Sequence, residues 1–107
     1  MRTRIIVKLE YEATHHWPDC DIEEVQFLKY QHRHIFHICC KKEVKHEDRD
    51  IEIIMLKRRI LEYLAYQYSG DFKYRSCEMI ATDLLNEFNL DYCSVLEDNE
   101  NGAETIK

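Results

Sequence analysis

Three histidines, His15, His32 and His34, are the residues of this chain whose type and spacing point to chemistry. His32 and His34 are two positions apart within a strand-like run from Gln31 to Lys45, so their side chains leave the same face of the strand. A third imidazole from a neighbouring strand completes the three-His set that zinc accepts while keeping one position open for water or a substrate. His15 is placed to supply it, because it continues the apolar face of an earlier strand. The plain alternative is a pair of surface histidines and one hydrogen-bonded core histidine. Alternation puts His16 opposite His15 and His37 opposite His34, which makes both surface groups rather than ligands.

The elements that must carry these residues are legible in the pattern. Ile5, Val7, Leu9, Tyr11 and Ala13 alternate with charged neighbours between Arg4 and Thr14, the period-two signature of a half-buried strand. Trp17, Pro18, Asp19 and Asp21 then break the alternation, and the stretch to Lys29 reads as a loop with at most a short helical or strand piece. The second strand presents His34, Phe36, Ile38 and Cys40 on one face and stops at the charged turn from His46 to Asp50. Apolar residues recurring at three and four, Ile53, Leu56, Ile60 and Leu64 among them, predict an amphipathic helix over 51–68 that ends before Gly70. Ser76 is placed to cap a second helix, with Glu78 in its first turn and Ile80, Ala81, Leu84 and Leu85 facing inward. Two short strands, from Asp91 to Leu96 and from Gly102 to Ile106, flank the polar turn Glu97 to Asn101. Strand, strand, helix, helix, strand, strand predicts one α+β domain over 1–107, a four-stranded antiparallel sheet with two helices on one face.

Composition narrows the function classes. At 107 residues the chain holds one core and has no room for separate cofactor and substrate domains. A net charge of −6 argues against nucleic acid, whose phosphates call for surplus Lys and Arg. The longest apolar stretch is interrupted by Lys57, Arg58 and Arg59, well below the roughly 20 apolar residues of a membrane span. Five cysteines, Cys20, Cys39, Cys40, Cys77 and Cys93, with no CxxC pair and no recognisable signal peptide, predict reduced thiols in a cytoplasmic protein.

In ordered combination these residues resemble the 6-pyruvoyl-tetrahydropterin synthase family, which includes the 6-carboxy-tetrahydropterin synthases. Leu9-Glu10-Tyr11-Glu12-Ala13-Thr14-His15-His16-Trp17-Pro18 resembles its first-strand motif of an aromatic, Ala-Ala-His, a basic residue, Leu and Pro. His32-Arg33-His34 resembles its His-Gly-His, and Ser76-Cys77-Glu78-Met79-Ile80-Ala81 resembles the motif that opens its second helix. Val95-Leu96-Glu97-Asp98 resembles its late strand ending in Glu-Thr. The resemblance spans nearly the whole chain. It implies the T-fold, in which trimers close their sheets into a barrel and pair into hexamers. It also implies zinc on His15, His32 and His34, and Glu97 anchoring the pyrimidine-like edge of a pterin or purine.

Three departures bear on activity. Leu28 stands where the family places an acid–base Cys before His-Gly-His, and Leu cannot transfer a proton. His46 is the last histidine, so the family's Asp-His pair between the helices has no counterpart. Arg33 replaces the Gly between the zinc histidines. The resulting expectation is a binder, sensor or sequestering protein for a small pterin or purine-like nucleotide, self-assembled as a trimer or hexamer, without ordinary synthase turnover. Two alternatives stand beside it. One is an active synthase or lyase whose relay is rebuilt from Cys20, Glu23 or Glu24 with Asp71; the other is a metal-free oligomeric scaffold.

Overall fold

The computed structural model describes residues 1–107. In chain order the elements are β1 (Thr3–His15), a 3-10 segment (Glu23–Lys29), β2 (His32–Val44), α1 (Ile53–Tyr68), α2 (Cys77–Glu87), β3 (Tyr92–Glu97) and β4 (Asn101–Ile106). The strands form one antiparallel sheet in the order β1-β2-β3-β4, so each pairs with its neighbour in sequence. The α+β class, the four antiparallel strands and the two α-helices match the sequence-based expectation. The 3-10 segment adds a third helical element. It buries no residue and is interrupted at Val25, whose φ of −127° and ψ of 31° are non-helical, and so leaves no apolar period to read.

The register explains which face is buried. Val7 lies opposite Cys40, Leu9 opposite Ile38 and Tyr11 opposite Phe36, while Ile38 faces Val95 and Cys40 faces Cys93 on the next strand. All these residues stand on one side of the pleat, and all except half-buried Tyr11 are almost fully buried. Leu56, Ile60 and Leu64 of α1 and Ile80, Ala81 and Leu84 of α2 join them in a single core, so both helices cover the same face. α1 packs over β1, and α2 over β3 and β4.

Both α-helices begin at a side-chain cap. The Glu52 carboxylate accepts from the main-chain N–H groups of Ile54 and Met55, two donors that the first helical turn leaves unpaired. Ser76 Oγ accepts from Met79 N at the start of α2. No helix is long and apolar enough to cross a membrane.

The loop after α1 fixes the end of β1. Thr14 N donates to Gly70 O, Phe72 N to Thr14 O and His16 N to Lys73 O, at 3.0, 2.8 and 2.8 Å. Tyr11 adds a clamp: its hydroxyl donates to Leu64 O and accepts from Gly70 N. The last turn of β1 is therefore held between β2 on one side and residues 70–73 on the other. At the opposite edge of the sheet β4 runs close alongside β3, with Gly102 paired to Leu96. A Cβ on Gly102 would stand 1.9 Å from Val95 O, so only glycine fits there.

Candidate metal site

The core face of the sheet changes character at its upper end. His15 lies opposite His32, and Ala13 opposite His34, while Glu97 lies opposite Phe36 on the next strand. The alternation that buries Val7, Leu9 and Ile38 thus delivers three imidazoles and a carboxylate to one spot. Their ring centroids are 4.5 Å apart for His15 and His32, 5.5 Å for His15 and His34, and 5.1 Å for His32 and His34. One ligand atom from each of His15, His32, His34 and Glu97 lies within 4.8 Å of every other, a group that could hold a metal ion.

Each imidazole is held by an acceptor at its other nitrogen. His15 Nδ1 is 2.9 Å from Arg75 O, His32 Nδ1 is 2.9 Å from Tyr30 O, and His34 Nδ1 is 2.7 Å from Asp98 Oδ2. A carbonyl or carboxylate can only accept, so a ring proton belongs on Nδ1 in all three, and in the neutral ring each Nε2 carries a lone pair. This is the outer-shell arrangement that orients histidines on metals.

His15 shows the consequence most sharply. Its Nε2 lies 2.8 Å from Glu97 Oε2, yet it is a buried atom with no hydrogen-bond partner. The close approach lacks hydrogen-bond alignment, and with the proton on Nδ1 both atoms are acceptors. Two facing acceptors require a cation between them, which is what a proton or a metal ion supplies. Burial disfavours the charged form of His15, but contact with Glu97 and the Arg75 carbonyl outweighs it, and the pKa stands above its ordinary value of 6.5. Contact with His15 is also the main reason that Glu97 titrates below its ordinary value, against the effect of burial and with the help of His34.

Asp98 follows β3 in a left-handed conformation, with φ of 53°. That turn brings its carboxylate back over β2, where Oδ1 accepts from Ile35 N at 3.0 Å and Oδ2 meets His34. Its pKa falls below the ordinary value, chiefly through Ile35 N–H and then through His34. A pattern of side chains alone does not reveal the Arg75 and Tyr30 carbonyls, and Asp98 shows only as a residue next to the expected ligand anchor.

Beside the group opens a cleft of about 510 Å³ that includes His15, His32, Glu97, Leu28, Ser76 and Cys77 in its wall. Leu28 therefore sits at the cleft, where it brings an apolar surface and no titratable group. Cys77, in the helix-opening motif and among the expected reduced thiols, is 6% exposed here. Its thiol is pushed up to about 12, first by burial and then by the carboxylates of Glu97 and Glu78, so at neutral pH it stays protonated. His16 lies past the end of β1, out of strand phase. It too lines the cleft, and its Nδ1 is buried without a partner. His37 keeps the expected opposite phase, 3.7 Å from Glu10.

The candidate proton-transfer residues of the preceding loop do not reach this cleft. Cys20 is 1% exposed, and its thiol turns to the carbonyls of Val25 and Ile22 at 3.5 and 3.9 Å. Glu23 and Glu24 stand exposed on the 3-10 segment, and Asp71 binds Thr14 Oγ1 and Lys73 N. None of the four lines the cleft. In comparisons with known proteins, the sequence matches neither a family model nor a curated protein.

Proposed function

We propose that this protein is a zinc-binding relative of the tetrahydropterin synthases that holds a pterin or purine-like compound and has lost ordinary synthase turnover. The observation that carries the reading is the convergence of three imidazoles whose Nδ1 atoms are each tied to an acceptor, leaving the Nε2 lone pairs for a metal. A buried Nε2 facing a carboxylate fits zinc, which takes nitrogen and oxygen donors at such sites. When bound, the ion would supply a Lewis acid. The protein's own groups would orient a ligand: Leu28 offers the cleft an apolar surface, and the carboxylate of Glu97 accepts N–H donors from an amidine-like edge.

The family's proton relay has no counterpart at the expected positions, and His16 is the one imidazole of the cleft outside the metal group. Leu28 cannot titrate, and Cys20, Glu23, Glu24 and Asp71 are engaged or exposed elsewhere. That argues against a rebuilt relay, and the inward-facing histidines argue against a metal-free scaffold. β1 and β4 are the outer strands of the sheet, and apart from the end of β1 that residues 70–73 cover, their unpaired edges favour pairing with further copies of the chain. A trimer or hexamer follows from that pairing together with the resemblance.

Metal analysis and native mass spectrometry of the purified protein test the reading. Zinc near one per chain, a trimeric or hexameric mass and calorimetric binding of a pterin or guanine compound are expected. A product assay with 7,8-dihydroneopterin triphosphate and added zinc should show no conversion. Efficient turnover would overturn the non-catalytic reading, and a zinc-free protein would remove the metal.

A further inference from the structure

We infer that Glu97 is itself the fourth metal ligand, so the resting site is closed by the protein and an incoming ligand must displace this carboxylate. The inference rests on the metal reading above and departs from the resemblance, in which Glu97 serves the organic ligand alone. Both of its oxygens are turned to imidazoles: Oε2 is 2.8 Å from His15 Nε2 and Oε1 is 3.6 Å from His34 Nε2. Both oxygens thus approach the histidines, while Glu97 also lines the cleft, where an incoming ligand can reach it. Its placement is also set by the backbone, because Glu97 is the last residue of β3 and pairs with Phe36 on the buried face. Asp98 then locks the following turn by accepting from Ile35 N.

Three neutral imidazoles and one carboxylate make a complete four-coordinate donor set for a divalent ion such as zinc. A closed set of this kind resists small exogenous ligands, whereas three histidines alone would leave a position open. The carboxylate also compensates charge where the buried Nε2 of His15 would otherwise face it as a second acceptor. An organic ligand whose N–H donors bind Glu97 draws the carboxylate away from the histidines. The same event frees a coordination position for that ligand, so binding and opening are coupled.

Cobalt reports this directly, because its visible spectrum distinguishes four-coordinate from higher-coordinate sites and shifts when an exogenous ion binds. Wild-type protein, Glu97→Gln and Glu97→Ala would be loaded with Co²⁺ and titrated with azide, and zinc affinity would be measured for each against a chelator. Circular dichroism of the metal-free proteins checks that the variants fold. The wild-type spectrum should be four-coordinate and unmoved by azide, while Glu97→Ala responds to azide. Zinc affinity should fall in both variants by at least the roughly tenfold that outer-shell partners alone contribute. Equal zinc affinity in folded Glu97→Gln and wild type would overturn the inference. So would a wild-type spectrum as sensitive to azide as that of Glu97→Ala. In both cases the three-histidine metal reading survives. A wild-type chain that takes up neither cobalt nor zinc defeats that reading and this inference together.

Discussion

The helix-facing side of the sheet divides into two regions built on the same pleat. Its lower part is apolar, with Val7, Ile38, Cys40, Cys93 and Val95 under the helices. Its upper part carries His15, His32, His34 and Glu97. One antiparallel register runs through both, from Val7 opposite Cys40 to His15 opposite His32. The difference lies in what satisfies each region. Apolar side chains need only to be removed from water, an attraction without direction. The imidazoles need directed partners, and each has one in Arg75 O, Tyr30 O or Asp98. The lower region thus supplies rigidity, and the upper region turns that rigidity into ligand geometry.

Phe36 is the hinge of this comparison. It is fully buried, edge-on to His15 at 5.2 Å and to His34 at 5.7 Å, and equally edge-on to Phe72 at 4.9 Å. Phe36→Ala should cost about 3–5 kcal/mol of stability, the range for a buried aromatic truncation, and should also weaken zinc binding. Denaturant unfolding of the metal-free protein and a zinc competition titration would be read side by side. Lost stability with unchanged zinc affinity would show that the two regions are independent.

His32→Ala makes the opposite cut. It should lower bound zinc several-fold while leaving the apolar region intact, with metal-free stability within about 0.5 kcal/mol of wild type, as for partly exposed substitutions away from the core. His37→Ala, on the opposite face of the same strand, should change neither. Equal zinc content in wild type and His32→Ala would detach the histidines from any metal.

Asp98→Asn acts one step further out. Its Oδ1 can still accept from Ile35 N, but the group facing His34 Nδ1 becomes an amide NH2, which donates and cannot accept the ring proton. A loss in zinc affinity of roughly tenfold is expected, the lower end for an outer-shell partner. No loss would mean that the strand alone fixes the ring of His34.

The two regions were also unequally legible in the sequence. Period two announced β1 and β2 and the buried face, and it brought out His15, His32 and His34, because alternation depends on side-chain order alone. The same rule failed for His16, which lies just beyond the end of β1 and lines the cleft instead of the surface. The 3-10 segment falls where a loop with at most a short helical or strand piece is expected, and because it buries nothing the sequence does not distinguish these. Two of the three groups that orient the imidazoles are main-chain carbonyls, which carry no residue signature. Glu97 was marked as an anchor for an organic ligand, yet its position among the histidines depends on the β2–β3 register, which only the folded sheet displays.

The smallest expected effect sharpens the comparison from the apolar side. Glu52 caps α1 above the lower region, and its pKa lies below the ordinary 4.5 because Ile54 N–H and Met55 N–H donate to the carboxylate. A carboxyl group whose folded-state pKa is depressed stabilises the protein above its unfolded-state pKa, and that contribution disappears as pH falls through the folded-state value. Glu52→Gln should therefore lower Tm slightly above pH 5, and the gap to wild type should close steadily below about pH 4.5 as the wild-type carboxyl takes up its proton. Thermal melts of both proteins in the presence of a chelator would follow this gap. Zinc affinity at neutral pH should be the same for both, since the cap serves the start of α1 and no ligand of the metal site. A gap that widened on acidification would mean that the carboxylate is not the stabilising form. An altered zinc affinity would mean that the start of α1 is coupled to the imidazoles, a link that only the shared core could transmit.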